Sequence, residues 1–314
     1  MTQKIIKLLV LLTILALASW FGVKTYRQQQ AVKAEQARLA AEAARRLAIE
    51  LNLSESGQLT EITSGQFTRT FSFHLPPDFD RQTPISVLLA FHGAGDTAQG
   101  METYSGLSGL ADTHGFLAVY PNGYKNSWAD GRGMAAGDRV GVDDVQFVRD
   151  MINYLSAKYP IDQSKIFATG FSAGGYFVYK LACEPDGLIK GIAPVGAGFP
   201  ATLDKTCQPG YPASLLLVLG NQDPSYFGAY TQSGVFINSG AKTLTKWSEL
   251  IGCPGGPIED KGEFITITGY TGCREGNETN YVVLKGVGHD WIAGQDDYFD
   301  TGRLVVSFFG LEKN

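Results

Sequence analysis

The chain has 314 residues, 44% of them hydrophobic and 18% charged, with a formal net charge of −5. This is ordinary globular composition, with apolar material for a sizeable core. Eight Lys and Arg and three Glu precede Asn52, so the remainder carries 18 basic against 28 acidic residues. So acidic a remainder argues against nucleic acid as a partner, because phosphate neutralisation needs clustered cations.

Lys4 and Lys7 introduce a largely apolar run. Basic residues followed by an apolar stretch are the pattern of a secretory signal, and Ala16-Leu17-Ala18 offers a small-residue cleavage site. Uncleaved, the 19 residues 5–23 would just span a bilayer if Lys7 reaches back to the interface. Residues 24–51 are rich in Ala, Gln, Glu and Arg and contain no Gly or Pro, which favours helix. As one helix they would reach about 42 Å at about 1.5 Å per residue. Such a stalk makes more sense behind an anchor than behind a cleaved signal. The expected organisation is 1–23 signal peptide or anchor, 24–51 helical stalk and 52–314 one folded domain. Either form of the first segment exports that domain, held on a membrane facing the periplasm or the outside, or secreted.

Within the domain, residues 66–75 alternate enough for an early antiparallel strand. The runs 85–91, 116–120, 166–169, 191–195 and 214–219 are nearly unbroken apolar stretches. Such runs are expected of strands buried on both faces of a parallel sheet. Helical patterns fall between them at 143–159, 175–183 and 241–251, with a last one at 298–309. Asp143 or Asp144 reads as the N-cap of the first. Strands alternating with helices predict an α/β fold with a doubly wound, mostly parallel sheet.

The four cysteines Cys183, Cys207, Cys253 and Cys273 form an even set in an exported chain, which suggests two disulfides. Cys183–Cys207 with Cys253–Cys273 is the favoured pairing, since each closes a local loop. No CxxC or close Cys/His spacing supports a metal instead.

Gly170-Phe171-Ser172-Ala173-Gly174 fits G-x-S-x-G, between the strand-like KIFAT and the helix-like GGYFVYKLAC. A tight strand-to-helix turn lifts a serine hydroxyl clear of a sheet and aims a helix N-terminus at developing negative charge. Ser172 is therefore the expected nucleophile. In this arrangement the order is Ser, acid, His. Of the four histidines only His289 follows Ser172, just past the strand-like YVVLK. Among Asp186, Asp204, Asp223 and Asp260, only Asp223 directly follows a strong apolar strand, with Asp260 and Glu259 as fallbacks. The oxyanion of ester hydrolysis needs backbone donors. Ala173 is the first, and Ala94 in FHGAG the second, with Gly95 the near alternative. His92 is expected to brace that loop.

FHGAG, YPNGY, GVDDVQFVRDMI, FATGFSAGGYFVYKLAC, APVGAG, GNQDP and GVGHDW occur in this order. Together they resemble the polyhydroxybutyrate depolymerase and feruloyl esterase family of α/β-hydrolases, over roughly residues 68–309. The resemblance implies an α/β-hydrolase fold and an exported carboxylic ester hydrolase with a Ser–Asp–His triad and no cofactor. By position Ser172, Asp223 and His289 match the triad. Trp291 matches an aromatic that lines the family's cleft, and the acidic pair Asp143 and Asp144 looks structural. GNQDP lacks the usual small residue before the Asp, and the Ala-rich stalk is not a general family feature. Feruloyl or acetyl esters of polysaccharides are the first substrate class, with Trp128, Tyr226, Phe227, Tyr230 and Trp291 available to stack on a ring or sugar. Trp128 and Trp291 are the expected substrate-binding pair. Hydroxyalkanoate polyesters are the second class. A peptidase would need a gating domain that is not apparent, and a non-catalytic binding protein is the reading of another kind. Clean heptads are absent from the stalk, and oligomeric state stays open.

Overall fold

The computed structural model describes residues 2–231, 234–293 and 299–313. The chain divides into two compact units, Met1–Leu51 and Asn52–Asn314. The first consists of most of α1 (Thr2–Glu55), one continuous helix over the expected anchor or signal and stalk segments. Its early part is long and apolar enough to cross a membrane, and its side chains from Ile5 to Val23 are exposed. Ion pairs Glu35–Arg38 and Glu42–Arg46 lie one turn apart farther along. Such pairs add a few tenths of a kcal/mol each.

The second unit opens with β1 (Thr60–Ser64), β2 (Phe67–His74) and β3 (Ile85–Phe91), then α2 (Ala98–Ser105), α3 (Leu107–His114) and β4 (Leu117–Pro121). Next come α4 (Asp144–Lys158), β5 (Ile161–Phe171), α5 (Ala173–Ala182), β6 (Gly191–Val195) and β7 (Ser214–Gly220). The short α6 (Pro224–Phe227) and the paired β8 (Ala229–Tyr230) and β9 (Phe236–Ile237) precede α7 (Gly240–Leu250). The strands β10 (Ile258–Lys261), β11 (Ile265–Tyr270) and β12 (Thr279–Leu284) and the helix α8 (Thr301–Phe308) complete the unit.

One ten-stranded sheet runs in the order β1-β2-β4-β3-β5-β6-β7-β12-β11-β10. The central six strands are parallel, and two antiparallel strands close each edge. The apolar runs supply both faces by alternation. In β7, Leu215, Leu217 and Leu219 enter the core beside α4, α5 and α7. Leu216 and Val218 enter the core beside α2, α3 and α8. Each such leucine contributes roughly 1.5–3 kcal/mol of burial, which is why the run is uninterrupted. This is the doubly wound, mostly parallel α/β architecture expected from the pattern.

Some expectations shift. Residues 254–275 carry no unbroken apolar run, yet β10 and β11 lie there. Ile265 and Ile267 alternate with Thr266 and Thr268, and only the isoleucines pack on the core, so the apolar signal is halved. β5 begins earlier than the run at 166–169, because its half-buried Asp162 and exposed Gln163, Ser164 and Lys165 carry no apolar pattern. The last helix starts at Thr301, capped by Asp300, and Tyr298 lies outside the described residues.

Both favoured disulfides are present, Cys183–Cys207 and Cys253–Cys273. The first ties the end of α5 to the β6–β7 connection, and the second ties the end of α7 to the β11–β12 connection.

Candidate active site

The site is assembled at the carboxyl ends of β3, β5, β6, β7 and β12. Ser172 is the single residue between β5 and α5 and sits at φ 52°, ψ −111°. A non-glycine residue with positive φ and this ψ is strained. The turn persists because its neighbours over-determine it. A Cβ on Gly174 would stand 2.1 Å from the Phe91 carbonyl oxygen, and one on Gly170 would stand 2.5 Å from the backbone of Gly174. The Ser172 N–H donates to Val195 O at 2.8 Å. Although Ser172 is the N-cap of α5, its hydroxyl makes no capping bond. The Oγ is thus left for other chemistry.

Asp223 lies three residues beyond β7, 1% exposed. Its Oδ1 accepts the Ser225 N–H at 2.7 Å, capping α6, and its Oδ2 faces His289 Nδ1 at 2.7 Å. The carboxylate therefore serves both a turn and the histidine. The His289 ring packs on Phe171, the residue before Ser172, with centroids 4.9 Å apart. Gly196, at φ +68°, lies against both rings: a Cβ there would stand 2.8 Å from His289 Cε1 and 3.2 Å from Phe171 Cε2. Three chain segments, 171–172, 196 and 289, are brought together this way. Among the described hydrogen bonds none joins Ser172 Oγ to His289.

The FHGAG loop stands beside the serine: a Cβ on Gly93 would lie 3.8 Å from Ser172 Cβ. Gly95 N–H donates to Asn126 O at 2.8 Å, so that donor is spent. Among the described hydrogen bonds neither Ala94 N–H nor Ala173 N–H has an acceptor. This favours Ala94 over Gly95. His92 braces the loop as expected. Its Nδ1 bonds Gly93 O at 2.7 Å, and its Nε2 accepts the Gly123 N–H at 3.0 Å. The second bond requires a neutral ring protonated on Nδ1, and burial lowers the pKa in the same direction.

The two tryptophans expected to bind substrate are buried. Trp128 is 1% exposed, stacked on Phe177, with Nε1 donating to His92 O at 2.9 Å. It supports the loop from beneath. Trp291 is 2% exposed and belongs to the core beside α8. Neither ring presents a face to solvent, so neither can stack on a ligand. The acidic pair is structural: Asp143 caps α4, and buried Asp144 pairs with Arg69 at 2.6 Å and accepts the Ala129 N–H.

Sequence reading missed Tyr104, on α2. Its hydroxyl donates to Asp290 and accepts the Trp291 N–H at 2.9 Å, and its ring lies 5.5 Å from that of Phe171. Burial pushes its phenol up to about 12. Tyr104 thus clamps the loop that carries His289 against the residue before Ser172. Nothing in METYSG signals this, because Asp290 lies 186 residues away.

The esterase family model matches residues 63–190. Feruloyl esterase D of Neurospora crassa is 24% identical over 74% of this chain and 77% of its own length. Poly(3-hydroxyalkanoate) depolymerase C of Paucimonas lemoignei is 31% identical over 40% of this chain, which spans only 30% of that enzyme. The chain has the α/β-hydrolase fold and is similar to esterases. The solved acetyl xylan esterase from Aspergillus awamori has the same fold, at a TM-score of 0.60 and 15% identity, over 81% of this chain and all of that one. The family match ends just before β6, so Asp223 and His289 lie beyond it.

Proposed function

We propose that this esterase cleaves carboxylic esters with Ser172 as nucleophile, His289 as base, Asp223 as the acid behind it, and the N–H groups of Ala94 and Ala173 as oxyanion donors. The observation that carries the reading is the 2.7 Å contact between His289 Nδ1 and the buried Asp223, with the imidazole seated on Phe171 beside the strained Ser172. In the first half-reaction Ser172 Oγ bonds to the ester carbonyl carbon while His289 Nε2 takes the hydroxyl proton. The carbonyl oxygen becomes an oxyanion facing the two amides. Collapse expels the alcohol, which leaves with the proton from His289. In the second half-reaction water replaces the alcohol, and the acid and free Ser172 are released. Asp223 holds the imidazole tautomer and stabilises the imidazolium without taking the proton.

The substrates are acetyl or feruloyl esters carried on polysaccharides. The match to feruloyl esterase D over most of both chains supports this choice. Hydroxyalkanoate polyester is the second reading. It is favoured by Phe227 and Tyr230, both 74% exposed in the segment after Asp223, as an apolar surface for a polyester chain. The enzyme acts outside the cytoplasm, consistent with two disulfides, and is held to a membrane by the apolar part of α1.

The test is hydrolysis of p-nitrophenyl acetate, methyl ferulate and a hydroxybutyrate oligomer by the full chain and by Ser172→Ala. The variant is expected to lose at least about 10³-fold in kcat while keeping its melting temperature. Retained turnover removes Ser172 from the site. No turnover on any ester by folded protein favours a binding protein on the same fold.

A further inference from the structure

The loop that carries the proposed Ala94 donor is held by one neighbouring segment. His92 Nε2 accepts the Gly123 N–H at 3.0 Å, and His92 O accepts the Trp128 Nε1–H at 2.9 Å. Gly95 N–H donates to Asn126 O at 2.8 Å. All three partners belong to residues 122–129, which follow β4 and form a cradle for the donor loop. The cradle is costly to shape. Lys125 and Asn126, at φ 48° and 57°, occupy a left-handed region that side chains disfavour. A Cβ on Gly123 would stand 2.5 Å from Ser127 O, so the turn is also tight. Strain of this kind persists only where the surroundings over-determine it.

What over-determines it is one buried ion pair. Arg69 on β2 and Asp144 at the start of α4 meet at 2.6 Å, with side chains 3% and 0% exposed. Arg69 Nη2 also donates to Asn122 O at 3.0 Å, and Asp144 Oδ2 accepts the Ala129 N–H at 2.7 Å. Asn122 and Ala129 are the two ends of the cradle. Each member of the pair therefore holds one end, and their mutual attraction fixes the span between the ends. The guanidinium lies 4.1 Å from the ring centre of Phe147, which seats it against α4. Ala129 O accepts from Lys180 Nζ at 2.8 Å, which ties the same end to α5, the helix that Ser172 begins. Taking two charges out of water costs much of what their attraction returns. Stability alone does not account for such a pair, whereas its two backbone contacts do.

We infer that the Arg69–Asp144 pair is a clamp that sets the oxyanion loop, with Asp144 a positioning residue for ester hydrolysis. Asp144 acts through Ala129, Trp128 and His92, and Arg69 acts through Asn122, Gly123 and His92. Both arms converge on the residue that leads into Gly93 and Ala94. The inference rests on the proposed reaction, in which the Ala94 N–H meets the oxyanion. A donor misplaced by about 1 Å costs up to about 100-fold in rate.

The experiment uses the full chain in detergent and three variants: Asp144→Asn, Arg69→Met together with Asp144→Leu, and Ser172→Ala. Each is read by kcat and KM on p-nitrophenyl acetate, by a thermal melt, and by amide hydrogen exchange of the peptides 91–97 and 122–129. The double variant replaces the pair with apolar side chains and strands no charge, so its fold is expected to survive. Both clamp variants are expected to lose about 10- to 100-fold in kcat with KM changed less than about threefold. Both should exchange faster in those two peptides alone. A folded double variant with kcat within about twofold of the native chain overturns the inference. So does unchanged exchange in 91–97. Exchange that rises across the whole domain overturns it as well, since the pair would then support only the fold. If the native chain cleaves no ester, or Ser172→Ala keeps its turnover, the proposed reaction fails instead. The exchange pattern then still decides whether the pair clamps the loop.

Discussion

His289 owes its orientation to groups on three sides: Asp223 below, Phe171 on its face and Tyr104 through the next residue, Asp290. Tyr104→Phe keeps the ring on Phe171 and removes only the hydroxyl. The expected outcome is a kcat about tenfold lower with KM little changed, because the loop bearing the base loses its anchor while the cleft is untouched. Steady-state kinetics on p-nitrophenyl acetate checks this; a lower melting temperature with unchanged kcat would make Tyr104 merely structural. His92 makes a different prediction. Its folded pKa is lowered, so below about pH 6.5 the unfolded chain takes up a proton that the folded chain refuses. The stabilisation is complete above that pH and drains away as pH falls through the folded value. The melting-temperature gap between the native chain and His92→Gln should therefore narrow from pH 8 to pH 5. A constant gap would mean that the buried neutral ring is not what the pH acts on.

At the scale of elements, the turn between β5 and α5 depends on two close backbone approaches. Gly174→Ala would push a methyl into the Phe91 carbonyl, which itself ends β3 and leads into the FHGAG loop. Backbone cannot yield as a flexible side chain can. A loss of about 1–3 kcal/mol or more is expected, together with most of the activity, because the serine and the oxyanion loop shift as one. Denaturant unfolding and kcat measured on the same sample check it, and an unaffected kcat would separate the two. The edge strand β10 is handled differently: its Glu259, Asp260 and Lys261 are exposed and charged, which discourages pairing with another chain.

For the molecule as a whole, the two units solve different problems. The folded unit buries its apolar residues in two cores, one on each face of a single sheet. The apolar residues of α1 from Ile5 to Val23 are exposed in a helix long and apolar enough to cross a membrane, and we propose that they anchor the chain. The full chain is therefore expected to sediment with membranes through a high-salt wash and to be released by detergent. Release by salt alone, or a mature N-terminus just after Ala18, would mean that the segment is no anchor.

The sequence by itself determined the sheet-and-helix order and the disulfide partners, and it singled out Ser172, His289 and Asp223 as the proposed nucleophile, base and acid. Each is a local signal: an unbroken apolar run, glycines two positions from a serine, a lone histidine after it, an aspartate directly past a strand, cysteines closing short loops. Tertiary structure alone decided three other matters. Trp128 and Trp291 look like ligand platforms in one dimension, but burial depends on what the fold lays over them, and it covered both. Tyr104 has no local mark, since its partner Asp290 is brought to it across the sheet. β11 carries half a strand signal, because only its isoleucine face meets the core, and β10 is exposed along its whole length. Residue type reports the chemistry that a side chain can perform; the fold decides whether it has a partner, and which.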